Sequence, residues 1–273
     1  MTNTDIIRDS EVRRQIWKGA IPLLINISSH EITSLQTPYP FYVMIPRQSY
    51  LPTLGESVRN HFVDYVSTFN KSDLWFECQG EVLKWNLPVG VLFDVHNTSH
   101  NLPWSITVHF NAFPTDKIYK CLSESDVIWT YLNTLKEAMY LQYNNVNSIM
   151  MLSKNDQTKL WEAIKDNKLN DYDETKEQFK ADGTLKLHPI RIVYELNKEV
   201  KNELVPLSDE EVKAETLGSF LQKVKPNRDV ERTNVVVQGI KPSLETPLDW
   251  LIDACSHPDQ FLYICLTNVI NLN

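Results

Sequence analysis

The sequence predicts an α+β protein built from two copies of one small fold, with helices before and between them. Three observations predict it. Gln79-Gly80 is followed eight residues later by Pro88, then by Leu92 and Asp94, and Gln238-Gly239 is followed eight residues later by Pro247, then by Leu251 and Asp253. Upstream, Thr53-Leu54-Gly55 recurs as Thr216-Leu217-Gly218, with four extra residues between the motifs in the first copy. Around both sets the apolar periodicity changes in the same order. Two copies at this separation are too few and too far apart for a solenoid, so the repeat is a duplicated domain.

Each element follows in turn. Residues 4–18 form a short amphipathic helix, with Ile6, Ile7, Val12, Ile16 and Trp17 among arginines and aspartates, and stop at Lys18-Gly19. IPLLINI (21–27) and PFYVMIP (40–46) are short, β-branched or aromatic and bounded by turn residues, the marks of strands. From Gly55 to Phe69 the apolar residues Val58, Phe62, Val63 and Val66 keep helical spacing. LWFECQGEVLKW (74–85) folds as two short strands about Gln79-Gly80. Pro88, suited to a first helical turn, opens a short second helix through Phe93, and PWSITVHF (103–110) alternates as a closing strand.

The second copy repeats the order. KLHPIRIVYEL (186–196) and LVPL (204–207) read as strands, Leu217 to Val224 as a helix, and NVVVQGI (234–240) as a strand and turn. Pro247 to Cys255 is a short helix and FLYICLTNVI (261–270) the last strand. This is the ββαββ order of the ubiquitin-like β-grasp, in which one amphipathic helix covers one face of a small mixed sheet, enough core for about 80–90 residues. A ferredoxin-like sandwich would need a second helix as long as the first, and the segments after Pro88 and Pro247 are too short. Between the copies, Ser123-x-x-Asp126 resembles a capping box ahead of the stripe Ile128, Leu132, Leu135 and Met139, and Ser153-x-x-Asp156 repeats it ahead of Leu160, Trp161 and Ile164. Residues 165–185 are polar and read as a helix end running into a linker. The expected division is an N-terminal helix (1–18), a first ubiquitin-like domain (19–113), a helix-rich region with linker (114–185) and a second ubiquitin-like domain (186–273).

Composition bounds the function. With 42% hydrophobic and 10% aromatic residues among 273, the chain can build real cores. A net charge of −8 argues against bulk electrostatic capture of nucleic acid. Cys78, Cys121, Cys255 and Cys265 are scattered without a CxxC pair behind a polar N-terminus, which predicts free thiols in a reducing compartment. No apolar run is long enough to span a bilayer, so a soluble intracellular protein is expected. Phosphate loops, HExxH and GxSxG are absent. Cys255 and His257 lie two residues apart, where side chains do not face each other, and His96 and His100 have no further ligand at metal spacing. No catalytic residue, cofactor or metal is therefore expected. Trp17 belongs to neither β-grasp unit: with Ile16 it either docks into a groove or forms part of a partner-binding site.

The runs WFECQGEVLKWNLPVGVLFD (75–94), LPWSITVHF (102–110) and ETPLDWLIDACSHPDQFLYI (245–264), together with IWKGAIP (16–22) and IPRQSYL (45–51), resemble the autophagy protein 5 family over nearly the whole chain, least at 165–185 and 196–232. The resemblance implies two ubiquitin-like domains flanking a helix-rich region, and a scaffold that is not itself an enzyme. It implies that a lysine accepts the ubiquitin-like modifier autophagy protein 12 through an isopeptide bond made by dedicated activating and conjugating enzymes. It further implies binding of autophagy protein 16, a coiled-coil protein, and an E3-like role in coupling another ubiquitin-like protein to phosphatidylethanolamine, in the cytoplasm and peripherally on the pre-autophagosomal membrane. The family's acceptor lies in a lysine-glutamate-alanine stretch, which Leu135-Lys136-Glu137-Ala138 matches, so Lys136 is the expected acceptor, with Lys154 and Lys159 as nearby alternatives. The alternative function is a two-module adaptor that binds helices or peptides without covalent modification.

Overall fold

Helix α1 (Asn3–Trp17) stops where Gly19 donates its N–H to the Ile16 carbonyl at 3.0 Å, and the chain turns directly into the first unit: β1 (Ala20–Ile27), β2 (Phe41–Pro46), α2 (Gly55–Phe62), β3 (Trp75–Cys78), β4 (Glu81–Val82), α3 (Val89–His96) and β5 (Trp104–His109). The computed structural model describes residues 3–66, 73–97, 101–179, 183–196, 199–226 and 233–268. Alternation along β1 sends Ile21, Leu23, Ile25 and Ile27 into a core and Pro22, Leu24 and Asn26 away from it. The five strands order as β2-β1-β5-β3-β4, with β1 and β5 parallel at the centre. Val58 and Phe62 of α2 and Leu92 of α3 close the core over one face.

Four helices follow, α4 (Glu124–Tyr143), α5 (Asn147–Met150), α6 (Lys154–Lys165) and α7 (Leu169–Gln178), then the second unit: β6 (Leu187–His188), β7 (Ile190–Leu196), β8 (Glu199–Leu204), β9 (Leu207–Ser208), α8 (Asp209–Ala214), α9 (Leu217–Val224), β10 (Thr233–Val236), α10 (Leu248–Cys255) and β11 (Leu262–Asn268). Its sheet, β10-β11-β7-β8, again has a parallel pair at the centre, β7 with β11. The registers coincide: Leu23 faces Trp104 and Ile25 faces Ile106 in the first unit, as Ile190 faces Leu262 and Ile192 faces Ile264 in the second. The architecture is α+β, two ubiquitin-like domains flanking a helical region and preceded by a short helix.

Three expectations need correction. Residues 169–179 are not a linker: α7 packs Tyr172 and Thr175 inward, with Phe179 just beyond it, on an otherwise charged helix. The expected strand at 204–207 is broken by Pro206, which cannot continue a ladder; β8 lies before it and β9 after it. The helix after Pro88 runs beyond Phe93 to His96, with Pro88 as its cap. The expected stretches 67–69 and 269–270 lie outside the described residues, as does His100.

The backs of the two sheets have diverged. In the first, Asn26 pairs with Thr107 and Thr107 with Glu77, and Asn26 Nδ2 reaches Ser105 Oγ at 3.4 Å. The same register positions in the second hold Val193, Cys265, Val236 and Tyr263, all buried. The difference has a direct cause. Helix α3 lies across the back of the second sheet, where the Cys265 thiol meets the Val91 carbonyl at 4.0 Å, and Val193, Val200, Val236, Tyr263 and Cys265 join Val89, Val91 and Val95 in one core. At roughly 1.5–3 kcal/mol for each buried apolar side chain, this contact is a major source of the joint stability of the two units.

A polar node completes the junction. Arg47, just past β2, places Nη2 2.5 Å from Asp94 Oδ2 and 3.2 Å from the Gly90 carbonyl. The second unit contributes Gly239, whose N–H donates to the same Asp94 oxygen at 2.9 Å. Beside it Gln48 Nε2 donates to Gln238 Oε1 at 3.3 Å, and Gln238 Nε2 to the Cys255 carbonyl at 3.1 Å. The repeat motif therefore has two settings. Gln79-Gly80 and Gln238-Gly239 both adopt two successive positive φ values, 54° and 84° in the first and 52° and 76° in the second, the backbone that a two-residue hairpin of matching twist requires. A Cβ at Gly80 would meet nothing within 4 Å, whereas one at Gly239 would come 2.9 Å from Cζ of Arg47.

Gly80→Ala and Gly239→Ala should therefore separate. The first is expected to lose about 1 kcal/mol from the left-handed backbone alone, the second that amount plus about 1–3 kcal/mol of overpacking against the ion pair. Equal urea midpoints for the two variants would contradict the close approach at Gly239.

Candidate conjugation site and partner surface

Lys136 stands on α4, the longest helix. The Asp126 carboxylate accepts the N–H groups of Leu122 at 2.7 Å and Ser123 at 3.0 Å, so the sequence signal for the helix start is met. At the far end Asn144 takes φ 54°, a left-handed cap for which asparagine is suited. Val127, Tyr131, Leu132, Leu135 and Met139 are buried against Leu160, Trp161, Ile164, Tyr172 and Phe179 of α6, α7 and the residue after it. Ala138 belongs instead to the core that the first unit shares with the back of the second sheet. Glu137 accepts a hydrogen bond from Arg191 Nη2 on β7 at 2.5 Å. Lys136, between fully buried Leu135 and Glu137, is half-buried, and its Nζ lies 5.9 Å from the ring centroid of Trp129. Its stem is thus shielded and its amine carried to the rim. Lys154 and Lys159 on α6 are exposed.

Beside this rim is a cleft of about 720 Å³, lined by Trp85, Lys117, Lys120, Trp129, Thr130 and Asn133 among others. Trp85 is oriented by its indole N–H, which donates to the Tyr119 carbonyl at 2.6 Å. Trp129 is 59% exposed, and Tyr119 and Leu122 near the same edge are more exposed still. Lys84, also on the cleft, donates to the Val200 carbonyl at 2.8 Å, and burial lowers its pKa.

Ile16 and Trp17 share no described contact with Lys136. Trp17 is 5% exposed, and its ring centroid lies 4.8 Å from that of Tyr172 in the helical core. Ile16 and Val12 are half-buried against the core of the second unit. Arg13 holds Asp173 through two hydrogen bonds, of 2.6 and 3.1 Å. The indole of Trp17 therefore staples α1 to α7, while Ile16 keeps part of its surface at the rim.

The segment 257–261, which enters the sequence reading only through His257 and the start of the last strand, joins the second unit to the helices. The Pro258 carbonyl accepts the hydroxyls of Tyr131 at 3.1 Å and Tyr172 at 2.8 Å, and Asp259 accepts from the Phe261 N–H at 3.0 Å and the Tyr263 hydroxyl at 2.8 Å. The available signal was a polar Ser-His-Pro-Asp run inside an apolar stretch, opposite tyrosines on two helices. Burial pushes Asp259 up to about 6, and burial, reinforced by Arg47, lowers His257 to about 3. Burial also pushes the Cys255 thiol up to about 12, so Cys255 and His257 do not form an ionised nucleophile and base. His96, 3.6 Å from Glu81, is lowered to about 4 by burial and by Lys84. Among the described residues no group of three or more His, Cys, Asp or Glu side chains could hold a metal ion. No described helix is long and apolar enough to cross a membrane.

Fold and site together define a paired ubiquitin-like scaffold, two β-grasp units locked around a helical bundle. Family models for the ATG5 UblA domain, the ATG5 alpha-helical bundle region and the ATG5 UblB domain match residues 16–110, 124–181 and 188–266. The chain is 30% identical to autophagy protein 5 of Drosophila melanogaster over 263 residues, covering 94% of this chain and 96% of that protein. It is 28% identical to that of Arabidopsis thaliana over 93% of this chain and 96% of that protein. A 163-residue match at 36% identity to the protein of Oryza sativa subsp. indica covers 60% of this chain and 43% of that one. The crystal structure of Kluyveromyces marxianus Atg5 superposes with a TM-score of 0.82 at 23% identity, covering 94% of this chain and all of that one, and so shares the fold. The chain belongs to the autophagy protein 5 family, and membership supports a role in the conjugation system of autophagy.

The buried titratable groups dictate a pH response. Between about pH 4 and 6.5 the unfolded chain protonates His96 and His257 while the folded one leaves them neutral, so stability rises with pH across that window. Asp259 has the opposite sign: its folded pKa of about 6 lies above the unfolded value of 3.8, so the folded state holds the extra proton and this contribution is lost as pH rises from about 4 to 6. Asp259→Asn should remove that offset and steepen the pH dependence of the urea-derived stability there by about 1.4 kcal/mol per pH unit. An unchanged slope would contradict the raised Asp259.

Proposed function

We propose that this protein is the non-catalytic scaffold of an autophagy conjugation system, and that Lys136 is joined to the C-terminal carboxyl of the ubiquitin-like modifier autophagy protein 12. The observation that carries this reading is the setting of Lys136, whose neighbours Leu135, Glu137 and Ala138 are tied in turn to the helical core, to Arg191 of the second unit and to the core that the two units share. In the transfer the amine attacks the thioester carbonyl of the charged conjugating enzyme, the C–S bond breaks, an amide forms and the amine loses a proton. A half-shielded amine on a fixed helix is reachable by a thioester while its stem is held. The aromatic-lined cleft beside it offers the attached modifier a surface to rest on. The conjugate would bind autophagy protein 16, act in an E3-like manner in lipidation of a further ubiquitin-like protein, and work in the cytoplasm and on the pre-autophagosomal membrane.

Lys136→Arg keeps charge and stem but removes the amine nucleophile. It should abolish the heavier species on a denaturing gel while changing stability by no more than about 0.5 kcal/mol. Persistence of that species would move the acceptor to Lys154 or Lys159, and its absence from the unmodified protein in native cells would favour the non-covalent adaptor.

For the coiled-coil partner we propose docking alongside α1, where Ile16 is half-exposed; the buried indole of Trp17 supports this groove from beneath. Trp17→Ala should then lower the melting temperature, through the loss of about 3–5 kcal/mol, and also weaken a peptide from the partner's N-terminal helix in a calorimetric titration. Lowered melting with unchanged affinity would leave Trp17 a staple alone and discard the groove.

A further inference from the structure

The duplicated turns also assign a chemistry to a cavity that takes no part in the reading above. It measures about 410 Å³, lies where the first unit faces β8, and is lined by Gly80, Glu81, Lys84, His96, Lys117 and Glu199 among others. The His96 side chain on its wall is only 4% exposed, and Nε2 has no hydrogen-bond partner. Such buried polar atoms are few in a native protein, and each calls for an explanation. Nδ1 lies 3.6 Å from Glu81, too far to fix the ring proton there, so Nε2 can carry it as a donor. Lys84 engages the Val200 carbonyl with part of its ammonium and has N–H donors to offer beyond it.

The second unit shows what this kind of turn takes. Gly80 and Gly239 share their place in the repeat and their left-handed backbone. The Gly239 N–H donates to a carboxylate that comes from the other unit, Asp94, beside the positive charge of Arg47. Gly80 faces the cavity, its N–H has no partner among the described residues, and a Cβ there would meet nothing within 4 Å. The first turn thus has the same donor and open room, and Lys84 and Lys117 bring positive charge to it. Burial lowers the pKa of Lys84 and His96, and a neighbouring cation lowers each further, Lys201 acting on Lys84 and Lys84 on His96. Of the carboxylates on the wall, Glu199 is paired with Lys201 at 2.6 Å and Asp116 is exposed at the rim. A carboxylate matches the inner wall, because it accepts from a backbone N–H, an imidazole and an ammonium together. A cation would meet only donors there.

We propose that this cavity binds a carboxylate carried by a protein partner, which accepts from the Gly80 N–H, His96 Nε2 and Lys84, with Lys117 at the rim. Binding here requires no conjugation at Lys136.

The probes are short peptides compared at equal ionic strength: one with a single glutamate and both ends blocked, the same peptide with glutamine, and the glutamine peptide with a free C-terminal carboxyl. Protein labelled with ¹⁵N at its 7 glycines reports through the Gly80 N–H resonance, identified with Gly80→Ala. A carboxylate peptide should shift that resonance saturably, and the blocked glutamine peptide should bind at least about tenfold more weakly. Which of the two carboxylates binds tells a side chain from a chain end. The Gly239 resonance should stay fixed, since its N–H already holds Asp94. In histidine-labelled protein the His96 Nε2 resonance should move with the same midpoint as Gly80. Lys117→Gln, a change at an exposed residue, should weaken the carboxylate peptide by about threefold with an unchanged melting temperature. Equal binding of all the peptides to the unaltered protein overturns the proposal without relying on any variant. So does a Gly80 resonance that no carboxylate peptide shifts saturably, a His96 resonance that stays fixed while Gly80 moves, or undiminished binding by the folded Lys117→Gln protein.

Discussion

The arrangement rests on α3 being buried on two sides. One flank closes the core of the first sheet, and the other covers the back of the second. A β-grasp unit of this size buries a limited share of its surface, and the second unit would expose a large apolar area if its sheet had no cover. The Arg47 node at the edge of this contact fixes its geometry. Arg47 and Asp94 both belong to the first unit, and another docking of the second would deprive the buried pair of the Gly239 N–H that completes it. Gly19, Gly90 and Gly239 come so near Arg47 that a Cβ on any of them would lie within about 3 Å of an Arg47 atom. The backbone has been brought to the ion pair from three directions.

The helical region is tied to this junction through α4 and the 257–261 segment. Tyr131 and Tyr172, from two helices, converge on one carbonyl of the second unit, so a buried loop acceptor is satisfied twice while the helices gain a shared anchor. Arg191 extends the link, pairing with Glu137 while its guanidinium lies 4.2 Å from the Phe261 ring centroid. The stretch of α4 around Lys136 is consequently held by all three parts of the molecule.

Much of this was readable beforehand, and the failures have physical causes. The twin Gln-Gly turns, the prolines at helix starts and the alternation in β1 are local signals, and the structure follows them. Helix α7 is hard to read from the sequence because only Tyr172 and Thr175 point inward along a run of charged residues, with Phe179 just beyond it; its burial comes from α4 and α6, with Trp17 of α1 and the Pro258 carbonyl added, which no local pattern encodes. Strand β8 offers Val200 as its one buried residue, as an edge strand facing water on most sides does. Adjacent buried Ile192 and Val193 in β7 did carry information: two inward residues in succession mark a strand covered on both faces. The setting of Trp17 was undecidable from sequence because the surfaces that enclose it lie more than a hundred residues away. Lys136 was singled out by resemblance, and periodicity added only that it flanks the apolar stripe.

The double burial of α3 also imposes an order on synthesis. Val89 and Val91 leave the ribosome long before β11, the central strand of the sheet they cover, has been made. Throughout that interval the nascent first unit carries an apolar flank with nothing to receive it, and β7, already emerged, lacks the parallel neighbour that would complete its sheet. Growth of the chain thus passes through a half-molecule with exposed apolar surface, and β11 covers the flank of α3 and completes the second sheet at once.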